Sequence, residues 1–349
     1  MDFALDAQQQ MLQDSAQRFF SARHPLSRAR QALTWSDDSQ RGLWHDMAGM
    51  GWLGLLASEQ HGGLELGMCE AFLVAEAAGR QLLNLPFAAS AVLLPLLHRA
   101  SVQPPAELSV WIEEVVAGRA AINATFDGAL FMDHHQQCSH QLLVHGLRED
   151  ATNTQWARWP TDTVPATRIP EEPAGLDPTV RCARMSGTAA GPGLAWDVLH
   201  IPPVERAFVL ASYRMARVGE LLGAASASLD QACGYARERE QFGKPIGSYQ
   251  AIKHHLANDW MALDNARLAA WYAAAALDSR LPDWSFACAA AEVTAIEGAL
   301  RAARDAIQIH GGLGFTWEHD AHLYLKRVHH VSAMLGGTHA AFNTLEQAM

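Results

Sequence analysis

The sequence predicts a mainly helical chain with a small β domain: an N-terminal helical domain over 1–107, a central β-barrel-like domain over 108–203, and a C-terminal four-helix bundle over 204–349. Three observations predict this. Apolar residues recur every three or four positions in the first and last stretches, the period of an α-helix. Between them, strand-length apolar runs are punctuated by Pro160, Pro165, Pro170, Pro173 and Pro178, too often for helices. From about Val204 onward the chain is poor in proline and rich in alanine, which lets helices pack closely.

Composition narrows the class. With 349 residues, 49% of them apolar, the chain can bury a large core. A formal charge of -11 argues against nucleic acid or an anionic membrane surface as the main partner. No apolar run approaches the length of a membrane span. The opening MDFALDAQQQ is acidic and lacks a signal-peptide core, which predicts the cytoplasm. Cys69, Cys138, Cys182, Cys233 and Cys288 are scattered and odd in number, so neither a disulfide framework nor a CxxC clip is visible.

In chain order, Asp6 and Gln9 have the spacing of a capping box, and Met11, Leu12, Ala16, Phe19 and Phe20 give the following helix one apolar face. A second helix is expected near Arg41–Met50. The glycines of GWLGLLASEQHGGLELG then break the periodicity into a loop. Helical pattern returns over Met68–Arg80 and again after Pro86 to about Leu97. In the β region SVWIEEVV, ALFM and QLLVHGL read as strands. Beyond Val204, the steps Leu222, Ala225, Leu229, Ala232 form a bundle-facing stripe. Long helices are expected over Tyr249–Leu277 and Ser285–Ile309, with Gly311 and Gly312 as the stop and a further helix from about Glu318.

The stretch REQFGKPIGSYQ, Arg239 to Gln250, stands out between two helical patterns. Arg239 offers a planar, permanently charged fork for a phosphate or carboxylate, and Phe242 sits beside Gly243, where a ligand can approach the backbone. Ser248 is the expected N-cap of the helix that follows. The same residues also read as an ordinary interhelical turn. Adjacent histidines at His134 and His135, His254 and His255, and His329 and His330 lack the i, i+4 spacing of a metal pair, so no metal site is expected.

The two stretches REREQFGKPIGSYQAIKHHLA (Arg237 to Ala257) and QIHGGLGFTWEHDAHLYLKR (Gln308 to Arg327), with the N-terminal glycine loop, resemble the signatures of the acyl-CoA dehydrogenase family. The resemblance implies flavin-dependent α,β-dehydrogenation of an acyl-CoA thioester, with FAD as cofactor and an electron-transfer flavoprotein as acceptor. It also implies a homo- or hetero-oligomer, dimer or tetramer, in which the FAD lies partly across a subunit interface. Carried over by motif position, Arg239 and Gln241 would meet the pyrophosphate, Phe242 the adenosine side and Gln250 another part of that half. Gln308, Gly311 and Gly312 would face the dinucleotide, and Thr338 the adenosine.

The same resemblance exposes gaps. The chemistry needs a carboxylate to take the α-proton. Where most of the family has Glu before Gly-Thr, this chain reads LGGT, with Gly336 in place of the acid. The family's alternative place, 29 residues before the signature Phe, holds Tyr213. Glu220, seven residues on, is the weak substitute; Glu205, Glu318 and Asp320 are weaker. The TEPxxGSD-like stretch and tryptophan strand that grip the flavin ring are missing from the β region, where Ser186, Gly187, Thr188 and Gly191 make only a weak polar loop. The expectation is a subunit without its own base, paired with a paralogous subunit and acting on bulky CoA thioesters such as sterol side-chain fragments. The alternatives are a self-sufficient enzyme with a relocated acid and a non-catalytic scaffold subunit.

Overall fold

The computed structural model describes residues 4–126, 129, 131–147, 154–160, 175–184 and 197–349, and within them the chain is mostly helical with a small sheet region. Helix α1 (Ala7–Arg23) opens on the expected capping box: Asp6 accepts from the amides of Gln8 and Gln9, and Gln9 reaches back to the Asp6 amide. A short α2 (Leu26–Ala29) and α3 (Asp38–Gly49) follow, then the glycine loop with two 3₁₀ turns, and α4 (Met68–Arg80) over the predicted span. The run after Pro86 begins as π-helix over Ala88–Leu93 and continues as α5 (Leu94–Ala100).

SVWIEEVV is not a strand. It belongs to α6 (Ala106–Val116), because Leu108, Trp111, Ile112 and Val115 are buried at helical intervals, outweighing its β-prone composition. The other two short runs do contribute strands. β1 (Ile122–Phe126), β3 (His140–His145), β4 (Thr154–Pro160) and β6 (Asp197–Leu199) form a sheet in the order β1-β3-β4-β6, with β1 and β3 parallel and the other pairs antiparallel. β2 (Phe131–Met132) pairs with β5 (Ala183–Arg184). The Ser186–Gly191 loop lies outside the described residues.

From Pro203 the chain is again helical: α7 (Pro203–Glu238), a hairpin of β7 (Glu240–Gln241) and β8 (Lys244–Pro245), then α8 (Gln250–Asp278), α9 (Trp284–His310), α10 (Ala321–Met334) and α11 (Gly337–Ala348). The expected stripe Leu222, Ala225, Leu229, Ala232 is buried throughout. Ser248 does not cap α8: it closes a 3₁₀ turn over Ile246–Ser248, and Tyr249 takes the N-cap position in extended conformation without a side-chain cap bond. Pro245 and the turn occupy the backbone that a serine cap would have used.

Contacts divide the chain into two compact units: Met1–Ser27, Phe72–Leu83 and Arg214–Met349 in one, Arg28–Ala71 and Asn84–Tyr213 in the other. In the second unit the indole of Trp44 donates to the Ala120 carbonyl at 2.8 Å, and the Ser90 hydroxyl bridges the Ile122 amide and carbonyl, both at 2.8 Å, so the start of β1 is tied to helices.

In the first unit α4 and α7 meet backbone to backbone. A Cβ on Gly79 would stand 2.1 Å from the Glu220 carbonyl oxygen, and one on Gly223 2.0 Å from that of Glu76. That close approach lets polar side chains bridge the helices. Glu76 accepts from Arg267 of α8 at 2.7 Å, and Arg80 pairs with Asp230. Tyr324 of α10 donates to the Arg80 carbonyl at 2.9 Å. Arg327, fully buried, donates to the Leu82 and Leu83 carbonyls just past α4 and pairs with Glu220 of α7 at 3.0 Å. We expect Gly223→Ala to cost at least about 2 kcal/mol in denaturant unfolding, because the helices must separate to admit the methyl. A loss below about 0.5 kcal/mol would contradict this packing.

Candidate functional site

The site grows from one small apolar cluster. Ala232 and Ala236 near the end of α7 and Ala306 and Ile309 near the end of α9 are buried together, with Tyr235, Ile246, Ile252 and Leu256 packed on them. The cluster therefore anchors the Arg239–Gln250 stretch and the Gln308–Gly312 stretch on common ground, although about sixty residues separate them. Gly247 fits because a Cβ there would stand 2.8 Å from the Ala236 carbonyl oxygen. His310 stacks on Tyr235, ring centroids 4.7 Å apart, and lies 4.3 Å from His319. The His310 Nδ1 is 2.7 Å from the Ala306 carbonyl, so it carries the proton. Burial pushes the His310 imidazole below its ordinary value, and the neighbouring His319 adds to that.

The hairpin carries the most informative side chain. Phe242 and Gly243 are its two-residue turn, with φ of 54° and 79°. Two consecutive left-handed residues define the turn that best matches strand twist, and Asn-Gly is its preferred sequence. A phenylalanine in that conformation costs on the order of 1 kcal/mol, and this one leaves its ring 94% exposed. The fold is stabilised neither by that strain nor by that exposure. The hairpin itself is braced. The Arg239 carbonyl accepts from Ile246 at 2.8 Å, Tyr249 donates its hydroxyl to the Gln241 carbonyl at 3.1 Å, and the Lys244 ammonium sits 4.3 Å over the Tyr249 ring.

Arg239 and Gln241, which precede Phe242 in the chain, are exposed, and Gln250 is exposed at the first turn of α8. Gln308 is exposed near the end of α9, and Cβ positions at Gly311 and Gly312 would meet nothing within 4 Å. An exposed guanidinium, an uncovered aromatic face and an open glycine-lined helix end are the chemistry that fits the adenine and diphosphate end of a dinucleotide. Thr338 is not part of this cluster. It lines a cleft of about 650 Å³ with Ala262, Asn265, Glu297, Leu300, Arg301 and Asp305, between α8, α9 and the start of α11. Arg301, Asp305 and Gln308 fall on one face of α9, so that face runs from the cleft to the signature. Beneath it Arg301 pairs with the buried Asp259 at 2.9 Å; burial pushes the Asp259 carboxyl up, and the Asp305 charge adds to that while Arg301 opposes it.

The places where a base is expected hold Tyr213 and Gly336, and the weak substitute Glu220 is engaged. Tyr213 is buried with its ring 5.0 Å from Phe126. Gly336, at φ 91°, joins α10 to α11 in a conformation that L residues rarely adopt, and a Cβ there would stand 2.8 Å from that of Ala340. Glu220 is held by two guanidinium groups, with Arg217 at 3.1 Å and Arg327 at 3.0 Å. The sequence reading missed Glu292. It lies in the alanine-rich α9 with no motif around it, and its carboxylate takes both arms of Arg214, the residue after Tyr213. The same guanidinium donates to the carbonyl of Leu335, the residue before Gly336, at 2.7 Å. Burial and the Glu292 charge push the nearby Cys288 thiol up to about 12.

Among the described residues, no group of three or more His, Cys, Asp or Glu is arranged to hold a metal, and no helix is long and apolar enough to cross a membrane. His134 and His135 are buried in a turn, and the exposed His255 pairs with Asp305 at 3.0 Å.

Fold and surface together describe a mostly helical chain with an exposed arginine, phenylalanine and glycine-lined helix end. Comparison with known proteins identifies the family. Residues 6–102 match the model of the acyl-CoA dehydrogenase N-terminal domain and residues 206–348 that of the acyl-CoA dehydrogenase C-terminal domain. The chain belongs to the acyl-CoA dehydrogenase family, a family of FAD-dependent oxidoreductases. It is 32% identical over 309 residues to acyl-CoA dehydrogenase FadE34 of Mycobacterium tuberculosis, covering 86% of this chain and only 41% of that relative's length. It is 29% identical over 350 residues to acyl-CoA dehydrogenase IpdE2 of the same organism, covering 97% of this chain and 96% of that one. The ChsE4-ChsE5 complex from Mycobacterium tuberculosis shares the fold, with a TM-score of 0.81 at 22% identity over 99% of this chain and 98% of that chain.

Phe242→Asn separates ligand binding from folding. The hairpin should be no less stable in thermal unfolding, since Asn suits the turn, while flavin retention of the assembled protein should weaken at least about tenfold with the ring gone. Unchanged flavin retention would remove Phe242 from the site.

Proposed function

We propose that this chain is a subunit of a flavin-dependent acyl-CoA dehydrogenase that lends the adenine and diphosphate half of a cofactor site but supplies no proton-abstracting base. The observation that carries the reading is the state of the acids. Gly336 and Tyr213 stand at both places where the family would put the base, and Glu220, on the helix of Tyr213, and Glu292, paired with the adjacent Arg214, are each engaged by guanidinium groups. A carboxylate already satisfied by charge-assisted hydrogen bonds must break them before it can accept a proton from carbon.

FAD, when bound, supplies the hydride acceptor. This chain's own residues would hold it: Arg239 and Gln241 on the diphosphate, Phe242 against the adenine, Gln250, Gln308, Gly311 and Gly312 around the same half, and Thr338 on the adenosine from the cleft. The carboxylate and the grip on the flavin ring come, on this reading, from a paralogous subunit, giving a mixed dimer or tetramer. ChsE4-ChsE5, of like fold, is a complex of two named components, which supports such an arrangement. The substrate class is an acyl-CoA thioester, with a bulky acyl group of the sterol side-chain kind and an electron-transfer flavoprotein as acceptor.

The strained, exposed Phe242 beside Arg239 speaks against a pure scaffold, because a surface without a ligand has no use for it.

The base is tested by proton exchange. Incubated with FAD and a saturated acyl-CoA in deuterated water, the chain alone should wash no deuterium into the α-carbon, and the assembled complex should. Exchange by the chain alone that Glu220→Gln abolishes would establish a relocated base and overturn the reading.

A further inference from the structure

We propose that Glu292 is a positioning residue, acting through Arg214 on the Leu335 carbonyl to hold the turn from Gly336 to Thr338. The inference rests on the reading of Thr338 as a cofactor contact, and it assigns the geometry of that contact to a charged pair buried behind it.

The argument starts from the turn. α10 ends at Met334, Leu335 follows as its cap, and α11 begins at Gly337. Gly336 and Gly337 have φ of 91° and 72°, so the linkage between two helices rests on the two residues with the greatest backbone freedom. Such a linkage is defined only if something fixes its ends. The Gly336 amide bonds to the Ala333 carbonyl at 2.9 Å, which continues α10. The Leu335 carbonyl lies at the C-terminal end of α10, where carbonyls lack the next helical turn of their own helix, and Arg214 of α7 donates to it at 2.7 Å.

Arg214 can do so only if its planar head is held. Its Nε donates to Glu292 at 2.7 Å and one terminal nitrogen donates to the other carboxylate oxygen, a two-point grip that fixes the plane of the guanidinium. That same terminal nitrogen reaches Leu335. Glu292 itself is 4% exposed as a side chain on the tightly packed α9, so it cannot follow a moving arginine into solvent. The order of dependence is therefore α9 to Glu292, Glu292 to Arg214, Arg214 to Leu335, and Leu335 to the turn that begins α11 with Thr338. This also explains why an acid can lie so near both vacant base positions without serving as one: its charge is used to aim an arginine.

Hydrogen–deuterium exchange of the full-length chain tests the proposal. Glu292→Gln, which keeps the shape and removes the charge, should speed exchange in a peptide spanning 335–341 at least about tenfold while peptides from the middle of α8 stay unchanged. Arg214→Lys keeps a charge facing Glu292 but loses the fork, so it should give the same local effect, and Glu292→Asp should recover part of the protection. Unchanged exchange at 335–341, or a uniform rise across α8 to α11 with a lowered melting temperature, overturns the proposal and leaves Glu292 as a fold-stabilising pair. If Glu292→Gln proves insoluble, Arg214→Lys decides by the same criterion. Flavin-to-protein ratios of the assembly carrying Thr338→Val are measured alongside. A ratio unaffected by Thr338→Val removes the cofactor contact, while the exchange result still decides whether Glu292 positions the turn.

Discussion

Arg327 imposes the constraint from which the helical unit follows. A guanidinium cannot shed its proton, and taking it out of water costs several kcal/mol unless each donor finds an acceptor. Here the acceptors are the Leu82 and Leu83 carbonyls and the Glu220 carboxylate, so a residue of α10 dictates where α4 ends and how α7 lies beside it. The glycines at 79 and 223 answer the same demand from the other side, by letting α4 and α7 come near enough for one side chain to serve both. Glu220 is thereby spoken for. Its role in holding Arg327 and Arg217 explains its presence on this helix without any part in proton transfer.

Rigidity at that point contrasts with what the other end of α7 presents. Past Glu238 the chain leaves the helix into a two-residue hairpin whose turn holds an aromatic ring in water against its conformational preference. The apolar cluster of Ala232, Ala236, Ala306 and Ile309 carries that hairpin and the end of α9 together, so two segments distant in sequence present one surface. Strain and exposure are tolerated because the alanine-rich helices beneath are close-packed. The division is physical: buried arginines fix the frame, and an arginine and a phenylalanine stand exposed at the hairpin.

How much of this was legible in the sequence depended on the range of the interaction. The capping box at Asp6 and Gln9, the span of α4 and the stripe through Leu222 and Ala232 are local patterns, and they fold as read. The segment at Ser109–Val116 misled because valine, tryptophan and isoleucine favour strands, whereas burial of one helical face prevailed. Ser248 misled because serine marks caps in general, while Pro245 and the 3₁₀ turn shifted this start by one residue. Arg239 and Phe242 were visible through their motif, but the strain at Phe242 was not, since φ is set by the hairpin. Glu292 could not be found at all: its partner lies 78 residues away and nothing in an alanine-rich run marks the pairing.

As proposed, the chain contributes to a flavin site without completing one. Its most direct test is the visible absorbance spectrum of the protein purified alone and as its assembly. Little retained flavin in the chain alone, with close to stoichiometric flavin for the sites of the assembly, is the predicted result. A chain that purifies alone with one flavin per polypeptide, bleached on addition of acyl-CoA, would contradict it.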